Sequence, residues 1–145
     1  MIGIPRQLPA TLLSIGLVLA LCISTIGCGG PTIYPVAGNV VFSDGEVVQN
    51  GKIEFRSTEG PWRAMGDLDT KGRFRLRTME GDDGLPAGTY DVVVLQIIMT
   101  EDLSISQHNH GRPVPARYAD YFTSGLRTTV SADNSEAITI TIEPK

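Results

Sequence analysis

Arg73-Phe74-Arg75-Leu76-Arg77 and Ile138-Thr139-Ile140-Thr141-Ile142 alternate polar and apolar residues without a break, and this period of two decides the fold. A strand sends successive side chains to opposite faces, whereas a helix repeats every 3.6 residues. The first segment therefore reads as a half-buried antiparallel strand, with Phe74 facing a core and Arg75 facing water, and the second as the strand that closes the domain, with Ile140 facing the core. The same period extends outward along the chain. Ile53 and Phe55 alternate with Lys52, Glu54 and Arg56, and Val36, Gly38, Val40 and Phe42 share one side of a strand opposite Ala37, Asn39 and Ser43. Asp44-Gly45 then turns the chain. Tyr90 to Ile98 is almost continuously apolar, as a central strand covered on both faces would be. Leu126 to Val130 supplies the strand before the last, and Gly51, Gly60, Gly66, Gly72, Gly81, Gly84, Gly88 and Gly125 punctuate the series. No helical period runs beyond two turns. The reading is an all-β, seven-stranded Greek-key β-sandwich, with strands at 35–43, 50–57, 63–68, 72–79, 88–98, 125–132 and 136–143.

The chain has 145 residues, enough for one domain and a short appendage. Its net charge is −4. Arg6 is the only charged residue before Asp44, so everything after the N-terminal segment is one unit more negative still. A nucleic-acid partner is thereby excluded from the expectations. One positive charge followed by an apolar run from Ala10 to Ile26 describes an export signal, a signal helix within residues 1–27.

The run ends in Thr25-Ile26-Gly27-Cys28-Gly29-Gly30, which resembles the lipobox of bacterial lipoproteins. Thr25 stands where that family usually has Leu, and the alternative Cys22 follows Leu21, too bulky for the position before the cleaved bond. The resemblance implies that Cys28 is acylated, palmitate being the typical chain, and becomes the first residue of a protein exported to the cell envelope and held at its membrane. Two other readings stay open, an uncleaved transmembrane anchor and a signal cut by the ordinary peptidase. Cleavage at Cys28 leaves no second Cys, so no disulfide forms. Residues 28–34 make the lipidated cysteine and a tether; Gly29 to Tyr34 reaches about 20–25 Å when extended. The domain spans 35–145.

Within that domain Val36-Ala37-Gly38-Asn39-Val40, Asn50-Gly51-Lys52-Ile53-Glu54-Phe55, Asp69-Thr70-Lys71-Gly72-Arg73-Phe74 and Leu85-Pro86-Ala87-Gly88-Thr89-Tyr90 follow one another in the order seen in carboxypeptidase regulatory-like, transthyretin-like domains, which the chain resembles. Pro115-Ala116-Arg117-Tyr118 and Thr123-Ser124-Gly125-Leu126 resemble the small bacterial lipoproteins built from one such domain. The resemblance implies a prealbumin-like sandwich without catalysis of its own and without a cofactor. The chain's only histidines are His108 and His110, so a helical zinc motif with a distant third histidine cannot be built. Lys52 is the only strand lysine and the last strand has no Asn, which disfavours the isopeptide crosslink of related pilin sandwiches.

Several constellations offer chemistry. His108-x-His110, with Glu101 or Asp102, has metal-ligand character, but Gln107, Asn109 and Gly111 around them describe an exposed polar loop, and no metal is assigned. His108, Asn109, His110 and Arg112 instead form a candidate interaction loop within 99–115, a connection longer than compact domains usually carry. Arg73, Arg75 and Arg77 form a candidate stripe for anionic groups, with Lys52 and Arg56 expected on the neighbouring strand. The plain alternative is a solvated face of cross-strand ion pairs. Asp82-Asp83-Gly84 and Asp67-x-Asp69 invite a calcium reading, though turn chemistry accounts for them. Trp62 is either a sugar-stacking platform or the staple of a strand start. Pro115 opens a short helix through Tyr121, before the penultimate strand, which Tyr118, Tyr121 and Phe122 pack onto the sandwich edge. No nucleophile elbow or phosphate-cradling loop is present, and no catalytic residue is assigned. The expected function is a non-catalytic, membrane-anchored envelope module contacting a protein or polysaccharide. The alternatives are a hydrolase using His108 or His110 as base and a purely structural or adhesive spacer.

Overall fold

A computed structural model describes residues 30–96 and 111–145, and Pro31–Lys145 form a unit of their own. In chain order the strands are β1 (Ile33–Tyr34), β2 (Ala37–Phe42), β3 (Gly51–Ser57), β4 (Arg63–Leu68), β5 (Arg73–Arg75), β6 (Arg77–Thr78), β7 (Leu85–Pro86), β8 (Gly88–Leu95), β9 (Leu126–Val130) and β10 (Ile138–Ile142). A 3-10 turn, Ala116–Ala119, and one α-helical turn, Tyr121–Ser124, stand before β9. The structure is thus mostly β, in three sheets. One has the order β10-β2-β5, a second β6-β4-β3-β8-β9, and a two-residue ladder joins β1 to β7.

The alternation read from the sequence is obeyed wherever a strand has one face inside. In β10, Ile138, Ile140 and Ile142 are buried and Thr139 and Thr141 exposed; in β3, Ile53 and Phe55 are fully buried while Lys52 is exposed. β8 carries Val92, Val93 and Val94 buried in succession, so its apolar run is covered on both sides. The inner faces of the three- and five-stranded sheets share one core. Phe55 is its hinge, with its ring 5.9 Å from Phe74 of one sheet and 6.2 Å from Tyr90 of the other. Each such fully buried side chain stabilises the fold by about 1.5–3 kcal/mol.

The segment 72–79 departs from the single strand expected of it. It is divided at Leu76, whose N–H donates to the carbonyl of Val36 at 2.8 Å while its side chain is fully buried. Arg73–Arg75 pairs with β2, and Arg77–Thr78 pairs with β4, so the chain changes sheets at Leu76. Gly66 permits the crossing, because a Cβ there would collide with the carbonyl of Arg75. Two short strands, β1 and β7, add to those the alternation predicts. Their pairing depends on Gly84, with φ of 115° and with the Tyr34 carbonyl lying where its Cβ would be, a combination only glycine accepts. The strand expected over 88–98 ends at Leu95, and residues 97–98 lie outside the described residues.

The helical segment before β9 is present, but the packing expected of it is corrected at one residue. Tyr118 is buried in the core and Tyr121 is half-buried, while Phe122 is 95 % exposed. A single helical turn has room for only one inward direction. Asp120 caps the turn by accepting the Phe122 N–H at 2.7 Å, Ser124 is held by donating to the Val92 carbonyl at 2.5 Å, and Phe122 is left facing water.

Candidate functional site: the base of the 97–110 segment

The most constructed polar site lies where the chain leaves β8 and returns at Gly111. It begins with the turn after β2. Phe42 accepts the Gly45 N–H at 2.9 Å and donates its own to Glu46 at 2.7 Å, and the Glu46 N–H reaches the Asp44 carboxylate at 3.2 Å. This tight turn displays two carboxylates side by side. Arg112 bridges them, one terminal nitrogen 2.7 Å from Asp44 and the other 2.8 Å from Glu46, with its guanidinium 4.8 Å from the centre of the Phe42 ring. A planar fork with fixed donors suits such a bridge better than an ammonium does. The hydrogen bond from Arg112 holds the Asp44 carboxyl below its ordinary pKa, the Glu46 N–H adding to the effect. The same contact raises the Arg112 pKa.

Gln96 supplies a second tie. Its side-chain amide donates to the Gln49 carbonyl at 2.8 Å, and its side-chain oxygen accepts the Val114 N–H at 3.1 Å. Gly111, with φ of 67°, lies where a Cβ would press on the Gln49 side chain. Gln96 and Arg112, described residues on either side of 97–110, are therefore held to one place on the scaffold, the stretch from Asp44 to Gln49. Of the candidate interaction residues only Arg112 is described. It is engaged with the scaffold, while His108, Asn109 and His110, like Cys28 and Glu101 and Asp102, lie outside the described residues.

Arg73, Arg75 and Arg77 are all exposed, as the alternation requires. They are split between two sheets, and the strand of Lys52 and Arg56 is not the pairing neighbour of Arg73 and Arg75, whose strand pairs with β2. The change of sheet at Leu76 is the reason. Arg73 is tied to Asp69 at 2.8 Å, Arg77 to Asp83 at 2.7 Å and Lys52 to Asp67 at 2.5 Å. Lys52, Arg75 and Arg77 nevertheless line one shallow depression with Met65 and Met79.

Three of the four aspartates of the calcium reading, Asp67, Asp69 and Asp83, are held in these same ties, and Asp82 serves the turn through its backbone, its N–H donating to the Thr78 hydroxyl at 3.1 Å. Asp69 also accepts the N–H groups of Lys71 and Arg73, at 2.8 and 2.9 Å, and its pKa is lowered chiefly by the Arg73 N–H. Among the described residues no three His, Cys, Asp or Glu side chains gather as metal ligands would. Trp62 packs against the core and lines an open groove with Pro61, Arg63, Met79, Glu80 and Asp82.

One cluster escaped the sequence reading. On the outer face of the five-stranded sheet Arg63 pairs with Glu54, and the Arg56 guanidinium stacks on the Tyr121 ring at 3.8 Å. Burial, with Glu54 close by, pushes the Tyr121 hydroxyl up to about 12. Glu54 and Arg63 sit on paired strands and their closeness follows from the alternation; Tyr121 comes from a distant helical turn and left no local signal. No protein-family model, no curated protein and no solved structure matches this chain.

Proposed function

We propose that this chain is a non-catalytic interaction module of a bacterial cell envelope, a Greek-key β-sandwich of the transthyretin-like, carboxypeptidase regulatory-like type, acylated at Cys28 and thereby held at a membrane. Its 99–115 connection contacts an envelope protein or polysaccharide. The observation that carries the reading is the double clamp at the base of that connection, Arg112 on Asp44 and Glu46 and Gln96 between Gln49 and Val114. Connections tied at their base to a β scaffold are where such proteins commonly carry recognition. The membrane part rests on the apolar run and the Gly27-Cys28-Gly29 context, and stable anchoring requires more than one acyl chain. The sandwich part is supported by two sheets sharing one core and by β2 lying between β10, its parallel partner, and β5.

Two measurements test it. Mass spectrometry of the mature protein should find an N-terminal acylated Cys28; an unmodified Cys28, or a chain still beginning at Met1, sinks the anchor. Replacing 106–110 with Gly-Ser, which leaves Gly111 and the Arg112 clamp intact, should abolish recovery of the partner from native envelope with little change in melting temperature. Unchanged recovery removes the segment's role.

A further inference from the structure

We propose that the outer edge of β10 is a self-association surface, at which a second copy of this chain pairs antiparallel across a two-fold axis passing by Ile140. The outward-facing backbone groups of β10 favour this pairing. β10 runs parallel to β2, and the Ser43 N–H donates to the Ile142 carbonyl at 2.9 Å. Ile138, Ile140 and Ile142 therefore direct their N–H and C=O groups to β2, and the alternate residues direct theirs away. At both ends the outward N–H groups are already taken. Ala137 donates to the Asn134 carbonyl at 3.0 Å, and Glu143 donates to the Tyr118 hydroxyl at 2.8 Å. Between them Thr139 and Thr141 present their backbone groups with no partner among the described residues.

The other edges of the three- and five-stranded sheets are guarded. β6 is two residues long with Arg77, β5 is three residues long with Arg73 and Arg75, and β9 carries Arg127. Short length and charge are the usual protections of an edge. β10 has neither; it is five residues of Ile and Thr with exposed threonines.

A second copy of β10 fits this edge in one register. Ile-Thr-Ile-Thr-Ile reads the same in both directions, so an antiparallel copy centred on Ile140 sets Thr139 against Thr141 of its mate, and Thr141 against Thr139. Those are the residues with free outward groups, and each pair exchanges both its N–H···O bonds. A slip of two residues either way would require the N–H of Ala137 or of Glu143, both engaged. The central register also opposes Glu143 to Ala137 and Glu136 to Pro144, so no like charges meet. Paired threonines on the outer face add a favourable cross-strand contact.

Sedimentation velocity of the full chain in nonionic detergent tests the proposal. Twice the chain mass is expected for the protein as it stands, and half of that for Thr139→Lys/Thr141→Lys, which opposes lysine to lysine. Thr139→Glu/Thr141→Lys opposes carboxylate to ammonium in this register alone and should restore the dimer. Far-UV circular dichroism should show all three equally folded. A measurement on the unaltered chain stands independently of the variants: amide exchange at Thr139 and Thr141 should slow as protein concentration rises. A single-chain mass throughout, a dimer that survives the double lysine, a charge swap that stays monomeric, or exchange indifferent to concentration overturns the proposal. Protection of these amides only in native envelope would assign the edge to a different protein and equally overturn it.

Discussion

Arg75 and Arg112 are the same residue type in two regions that treat it in opposite ways. Arg75 stands on an exposed strand face, and no carboxylate lies within ion-pair distance among the described residues. Arg112 binds two carboxylates presented by a turn far back in the chain and lies over an aromatic ring of the core. An arginine's role is set by what the fold brings to it, since the residues flanking each of these name no partner. Strand alternation positions the first through local geometry alone. The second depends on a turn and a returning segment meeting in space.

The largest effect is expected on the buried side of the strand that carries Arg75. Phe74 is almost wholly buried against Phe55, and Phe74→Ala should cost about 3–5 kcal/mol in urea unfolding. A cost below that of Arg75→Ala would break the assignment of faces.

Tyr90 probes the same core from the other sheet. Its hydroxyl donates to the Pro86 carbonyl at 2.8 Å, and burial pushes its pKa up to about 12. Tyr90→Phe leaves that carbonyl without its donor, at a cost of about 1–3 kcal/mol, read from the midpoint of the same urea curves.

Arg112→Ala should act locally. The Val114 amide, held by Gln96, should exchange faster, and the Asp44 carboxyl should titrate closer to its ordinary 3.8. The sign follows from linkage. Asp44 has a lower pKa folded than unfolded, so its contribution to stability is present above the unfolded value and disappears as pH falls through the folded one. The gap in melting temperature between the native chain and Arg112→Ala should therefore be open at neutral pH and close in acid. A gap that widens in acid contradicts the clamp.

Arg75→Ala is expected to be the smallest, within about 0.5 kcal/mol, as for other surface positions without a partner. A loss comparable to that of Tyr90→Phe would show that Arg75 has a structural contact of its own.

Much of the architecture is legible in residue order because strand alternation is a local property. Ile53, Phe55, Phe74, Ile138, Ile140 and Ile142 are buried as their spacing requires, and the covered run of β8 is visible in consecutive valines. The short helical segment was legible from Pro115 and the residues behind it. The candidate site was legible only in outline. Arg112 stands out in the sequence as part of a polar connection, while of its partners Asp44 is visible only as a turn residue and Glu46 carries no signal at all.

What the amino-acid order determined by itself is therefore which segments are strands and which of their faces seek a core, because these depend on backbone geometry and on the hydrophobicity of residues two apart. Tertiary structure alone decided the pairings. The sequence 73–77 keeps one alternation throughout, yet it is divided between two sheets at Leu76 because the Val36 carbonyl and the side-chain-free surface of Gly66 wait there. Arg112 meets Asp44, and Arg56 meets Tyr121, for the same reason. Backbone hydrogen bonds are nearly alike for every pair of strands, so the partner is selected by the packing of the whole core, which no single stretch of the chain contains.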